Sequence, residues 1–244
     1  MKAKKIRLGV NVDHVATLRQ VRRGQTVYPS VNDMVGEAVK GGADQITIHL
    51  REDRRHIQTS DLIELAKKCP VDLNLEMAVT PEMIKLANKY KPEWCCFVPE
   101  KRQELTTEGG LNILSNQEEI SFAIEKLQSR GIEISLFLDP SPEQVKAAFV
   151  VGADAIEFHT GTWVLAKGLK KQKEWARLKK AAELCHQLGM RVHAGHGLDY
   201  KHSQDIRKLP HLLEVNIGHF LICESLKVGL KSAVKKMVQT LKSS

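Results

Sequence analysis

The sequence predicts an α/β protein, a single (β/α)8 barrel with a few extra helices spanning residues 1–244. Three observations carry this. Strand-like and helix-like stretches alternate through eight units in 244 residues, close to the roughly 250 residues of such a barrel. The GxGxxG turn of a doubly wound open sheet, the alternative architecture, is missing after the first strand, which runs into Asn11-Val12-Asp13-His14. The polar residues of the strands also fall on one alternating set, as they do when one face of a sheet closes around an interior.

The strands are expected at Ile6–Val12, Gln45–Leu50, Asp72–Met77, Trp94–Val98, Glu133–Leu138, Ala155–His159, Arg191–Ala194 and Glu214–Leu221. Between them, Asn32 is a candidate cap for a helix running to Lys40, stopped by Gly41-Gly42. A second helix starts at Ser60 and ends near Lys68, before Pro70. Thr80-Pro81 places a cap ahead of proline at the first helical position, and Ser141-Pro142 repeats the signal. Gln117 to Arg130 and Lys173 to Leu188 each end at a glycine, and Ser203 to Leu209 stops at Pro210. The last helix is expected from about Glu224, with Lys227, Lys231 and Lys235 on one face and Leu226, Leu230, Val234, Met237 and Leu241 opposite.

Composition narrows the function classes. No apolar run approaches the ~20 residues of a membrane span. Met1 to Arg7 is basic, but the apolar run behind it is broken by Asn11, Asp13 and His14, so no signal peptide is expected. Five cysteines without a CxxC pair fit a reduced cytoplasmic protein, with Cys95 and Cys96 on opposite faces of a strand. The net charge of +8 suits phosphorylated substrates. Nucleic acid is not expected as a partner, because aromatics make up 5% and do not alternate with the basic residues.

Alternation assigns an interior set to each strand. It contains Asn11 and Asp13; Thr47, His49 and Arg51; Asn74 and Glu76; Ser135 and Asp139; Glu157 and His159; His193; and Glu214 and Asn216. A barrel filled for packing alone favours Val, Ile and Leu. Burying a carboxylate such as Glu76 is costly unless it is paired or neutralised, so this convergence points to function. His159-Thr-Gly161, His193-Ala-Gly-His-Gly197 and Asn216-Ile-Gly-His219 add short glycine turns. Two of them follow strands seven and eight, where barrels commonly bind phosphate through backbone N–H groups. The loop from Pro99 to Asn116 is long for a strand-to-helix connection and carries a Gly109-Gly110 hinge, the pattern of a lid.

Chemically, His49, Glu76, His159 and His196 offer acids and bases near neutrality. Arg51, His56 and either Arg22 or Arg23 offer anion contacts. The combination suits carbonyl, imine and enol chemistry on a phosphorylated metabolite. A Schiff-base aldolase needs an interior lysine, and none of the interior sets contains one. A metal-dependent barrel is disfavoured by the lack of HxH or HExxH spacing among the ten histidines.

The stretches GVNVDHVATLR, ITIHLREDRRHI, NLEMAVT, CCFVPEKRQELTTEGG, IEFHTG, AGHGL and NIGH resemble the pyridoxine 5′-phosphate synthase family of vitamin B6 biosynthesis. The resemblance implies a barrel that condenses 1-deoxy-D-xylulose 5-phosphate with 3-amino-2-oxopropyl phosphate, without cofactor or metal. It implies His49 and Glu76 as proton acceptors, His196 as proton donor and Glu157 as a stabiliser of transition-state charge. Asp13, His14, Arg51, His56 and Thr106 would hold deoxyxylulose phosphate. Asn11, Arg22, Gly197, Gly218 and His219 would hold the amino-ketone phosphate, Arg22 rather than Arg23 because it keeps the spacing from Leu18. The Thr106 loop would close as a lid. Family members are cytoplasmic octamers built from dimers. His193 stands where the family more often has asparagine, and is expected to set a second imidazole beside His196, lowering its proton affinity.

Overall fold

Most strands turn polar on one alternating face, and that face lines the interior of a closed sheet. A computed structural model describes residues 5–23, 25–100 and 109–242. Its strands are β1 (Arg7–Asn11), β2 (Gln45–His49), β3 (Asp72–Met77), β4 (Trp94–Phe97), β5 (Glu133–Leu138), β6 (Ala155–His159), β7 (Arg191–Gly195) and β8 (Leu212–Ile217). All pair in parallel, each with its sequence neighbour, and β8 returns to β1 to close the barrel.

The outward residues, such as Val10, Ile48, Leu75, Leu136, Phe158 and Val215, are fully buried beneath the helices. The inward residues stack in registers that spiral around the axis. Asn11, Thr47, Asn74 and Trp94 form one ladder, and His49, Glu76, Cys96 and Ser135 the next. Cys95 packs in the outer core while Cys96 faces inward with Val98 and Phe137, a small apolar plug inside an otherwise polar barrel.

The helices are α1 (Asp13–Gln20), α2 (Val31–Gly41), α3 (Thr59–Lys68), α4 (Pro81–Tyr90), α5 (Gln117–Gln128), α6 (Pro142–Val150), α7 (Gly161–Leu165), α8 (Gly168–Gln187), α9 (Tyr200–Ile206), α10 (His219–Val228) and α11 (Leu230–Lys242). Thr80 and Ser141 accept from the backbone N–H three residues on, as their sequence signals require. Several starts differ from expectation. Ser30, not Asn32, caps α2 by accepting from the Asp33 N–H. Gln58 and Asp61 form a reciprocal capping box, so α3 begins at Thr59. Asp199 caps α9 through the His202 N–H, moving that helix forward from Ser203. Helix α8 likewise begins at Gly168 rather than Lys173.

Helices α1 and α7 are additions to the expected set. The C-terminal segment is two helices, not one. Strand β8 ends at Ile217 and α10 starts at His219, while Gly229, at φ 79°, breaks the chain before α11. Leu230, Val234, Met237 and Leu241 are buried as expected, but the break leaves Leu226 76% exposed. Among the described residues no helix is long and apolar enough to cross a membrane.

Candidate active site

The polar ends of β1, β2 and β3 meet first. Asn11 and Asp13 clamp each other across the start of α1. The Asn11 amide donates to Asp13 Oδ2 at 2.8 Å, and the Asp13 N–H donates to Asn11 Oδ1 at 2.9 Å. The other oxygen of Asp13 accepts the His49 N–H at 2.8 Å, fixing the end of β2. His49 Nδ1 lies 3.9 Å from Glu76 Oε2, and one donor atom each from Asp13, His49 and Glu76 lies within 4.8 Å of the others. This is the group among the described residues that has the spacing to hold a metal ion. Burial, then the neighbouring Asp13 and Glu157 carboxylates, push the Glu76 carboxyl well above the usual range.

Arg51, His56 and His14 extend this side. Arg51 and His56 are buried, and the His56 ring lies 6.0 Å from that of His49. His56 Nδ1 accepts the Ile57 N–H at 2.8 Å. Burial lowers the proton affinity of His56 and of His14 despite the nearby Asp13. The His14 ring meets the His219 ring edge-on at 4.9 Å, joining this side of the mouth to the start of α10.

The far side is built by β6, β7 and β8. Glu157 is buried and accepts the Asn216 side-chain amide at 2.7 Å. Burial pushes its carboxyl up to about 8, against the stabilising Asn216 hydrogen bond and together with repulsion from Glu214. His196 takes a left-handed turn, φ 79°, followed by Gly197 at φ 77°. Thr160 bolts that turn down by donating its hydroxyl to the carbonyls of Gly195 and His196. Burial, with His159 and His219 nearby, lowers His196 to about 4. The close approach of Gly161 is required here: a Cβ would come within 2.6 Å of His159 Nε2 and 2.9 Å of His196 Cδ2. Gly218 packs directly on Asn11, so the start of α10 closes against the end of β1.

Most expected site residues therefore converge. Asn11, Asp13, His14, His49, Arg51, His56 and Glu76 line one side of the mouth, and Glu157, His196, Gly197, Gly218 and His219 the other. Arg22 stands exposed on the turn that ends α1. Thr106 and most of its loop lie outside the described residues. The expectation for His193 is corrected. Its ring sits inside the barrel 5.3 Å from Trp94, with Nδ1 3.6 Å from Glu214. The imidazole packed edge-on against His196 is His159, at 4.9 Å, because the left-handed turn carries His196 away from the line of β7.

Two carboxylates escaped the sequence-based set of site residues. Asp139 lies 3.0 Å from His159 Nδ1 and accepts the Gly110 N–H, the first of which holds its carboxyl below the usual range. Glu100 lies 3.0 Å from His49 Nε2. The polar alternation that found Asp139 as an interior residue was a signal for it. Glu100 follows its strand and had none.

A sequence profile of the family described as pyridoxal phosphate biosynthesis protein PdxJ matches residues 8–243. A pyridoxine 5′-phosphate synthase of Bdellovibrio bacteriovorus is 63% identical over 238 residues, covering 98% of this chain and 99% of that one. A pyridoxine 5′-phosphate synthase of Magnetococcus marinus is 47% identical, covering 98% of each. Among solved structures, KGPDC from Streptococcus mutans aligns with TM-score 0.66 at 12% identity over 98% of this chain and 100% of that one. A phosphoribosyl anthranilate isomerase aligns with TM-score 0.59 at 14% identity over 97% and 98%. These two likenesses establish the barrel fold alone.

Proposed function

The chain belongs to the family of pyridoxal phosphate biosynthesis protein PdxJ, and we propose that its barrel mouth divides the family reaction between two phosphate-binding sides and the acid–base groups between them. The enzyme is a pyridoxine 5′-phosphate synthase. It condenses 1-deoxy-D-xylulose 5-phosphate with 3-amino-2-oxopropyl phosphate to pyridoxine 5′-phosphate, phosphate and water. The amine of one substrate forms an imine with the ketone of the other, proton transfers expel phosphate and water, and the ring closes.

In the proposed division, Asp13, His14, Arg51, His56 and Thr106 hold deoxyxylulose phosphate. Asn11, Arg22, Gly197, Gly218 and His219 hold the amino-ketone phosphate, with the free N–H groups at the start of α10 available to its oxygens. His49 and Glu76 accept protons and His196 donates one. An elevated Glu76 fits this role, because raised proton affinity makes its carboxylate a stronger base, and a cationic iminium beside it favours the carboxylate form. Glu157 answers to the same charge from the opposite wall, ionising as positive charge develops near it. The loop that carries Thr106 excludes water from the reactive intermediates.

The observation that carries this reading is the convergence of Asp13, His49 and Glu76 within 4.8 Å at the end of the barrel. The reading calls for no cofactor or metal and no nucleic-acid partner. It treats residues 1–244 as one catalytic domain in a cytoplasmic homo-octamer built from dimers. The exposed apolar side chains of Val21, Val27 and Tyr28 supply surface for such contacts. The test is incubation of chelator-treated protein with both phosphates and detection of pyridoxine 5′-phosphate. Product is expected from the wild type, and a large loss from Glu76→Gln. No product from folded protein sinks the assignment, and undiminished turnover in Glu76→Gln removes its role as a base.

A further inference from the structure

Glu100 follows β4, yet its carboxylate reaches the end of β2. One oxygen lies 3.0 Å from His49 Nε2, and the other accepts the Glu52 N–H at 3.1 Å. The His49 and Glu100 side chains are only 5% and 6% exposed. A pair so well shielded from water holds a defined geometry rather than a screened surface contact. We propose that Glu100 is a positioning residue that fixes the tautomer of His49, keeping the proton on Nε2 and presenting Nδ1 bare to the substrate. The inference rests on the reading of His49 as a proton acceptor.

Burial alone raises the Glu100 carboxyl, but the hydrogen bond from His49 and the attraction of its neighbours outweigh burial and leave it below the usual range. Glu100 is therefore an ionised, acceptor-only group. The ring nitrogen facing it must carry hydrogen, and a neutral imidazole carries only one. In the neutral ring that a proton acceptor requires, Nδ1 is then unprotonated. It looks toward Glu76 at 3.9 Å, beyond hydrogen-bond distance, so its lone pair stays available to a substrate proton. Asp13 holds the same residue from behind through the His49 N–H. Backbone and ring are thus fixed by two different carboxylates, while the basic nitrogen is left open.

The informative substitution is Glu100→Gln. The Glu52 N–H captures the glutamine carbonyl oxygen, which turns the glutamine NH2 toward His49 Nε2. That nitrogen must then accept, and the ring proton moves to Nδ1, disabling the base without emptying the site. Nitrogen-15 NMR of the full-length enzyme labelled at histidine reads both ring nitrogens, with the His49 signals identified by their loss in His49→Asn. The wild type is expected to show a bare Nδ1 and a protonated Nε2, and Glu100→Gln the reverse. Turnover is expected to fall on the order of ten- to a hundredfold with KM for either phosphate little changed, as when an orienting carboxylate is lost from a catalytic histidine. Glu100→Asp, which keeps the acceptor, restores the wild-type tautomer. An unchanged tautomer in Glu100→Gln overturns the proposal, as does a rise in KM at constant kcat. Full activity in His49→Asn would instead remove the base assignment, leaving the tautomer measurement to decide on Glu100 by itself.

Discussion

Asn216 on β8 reaches across β7 to donate its amide to Glu157 on β6 at 2.7 Å, through the space that Gly195 leaves empty. A Cβ at residue 195 would stand 2.1 Å from Glu157 Oε1. The Asn216 oxygen meanwhile accepts from Gln45 and from the Thr47 hydroxyl. Gln45 and Arg7 in turn donate to Glu214. The floor of the site is thus one hydrogen-bonded unit drawn from β1, β2, β6 and β8, and Glu157 is its end facing the site.

Asn216→Leu is expected to separate that unit while keeping side-chain volume. It removes the donor to Glu157 and leaves Gln45 and Thr47 without their shared acceptor. Loss of buried partners costs about 1–3 kcal/mol each when the remaining group stays unsatisfied. Denaturant unfolding should show a destabilisation of that order, and the catalytic rate should drop because Glu157 loses the contact that favours its ionised form. Wild-type stability and turnover in this variant would sever Asn216 from Glu157.

Glu157 also sets a dependence of stability on pH. Its carboxyl titrates near 8 in the fold against 4.5 when free. The native state therefore keeps the proton that the unfolded chain has already released. The stability it contributes is complete below about 4.5 and is lost progressively as pH rises to about 8. Glu157→Gln removes the titration and retains an oxygen for Asn216. Across that window the variant should gain on the wild type by a few kcal/mol, in order of magnitude, while losing activity. Melting curves of both proteins from acid to mildly alkaline pH measure the gap, and a gap that stays constant would contradict it.

The same residues show what is legible in a chain. Strand periodicity is two, so Glu157, Glu76 and His49 could be placed inward from spacing alone, and the βα rhythm gave the closed sheet. Helix α1 escaped because it has no side-chain cap and buries only one short stripe, Val15 and Ala16 among it. Helix α7 is a single turn and a half of Gly-Thr-Trp-Val-Leu, apolar enough to pass for a strand. The break at Gly229 hides in an unbroken amphipathic pattern. The separation of His193 from His196 depends on a positive φ at a histidine, which no spacing rule anticipates. The His49–Glu100 and His159–Asp139 pairs each join residues from different strand ends, so they depend on the shear between strands rather than on either sequence segment.

Anion binding should change the protonation of His196. Free, it is held near 4 by burial and by the neighbouring His159 and His219, so it enters the reaction neutral and without a proton to give as an imidazolium. A dianion seated at Gly197, Gly218 and His219 supplies the opposite charge, and opposite charge raises a histidine. Occupancy of the phosphate side then loads the proposed donor, linking its readiness to substrate. Sulfate is the clean probe, since it has no proton of its own to exchange near neutrality. Calorimetric titration of the enzyme with sulfate at about pH 5.5, in two buffers of different ionisation enthalpy, should reveal net proton uptake. In His196→Asn the uptake should shrink while sulfate still binds. Uptake that is unchanged in His196→Asn would assign the linkage to His14 or His219 instead, and binding with no uptake at all would mean that the phosphate side does not charge His196.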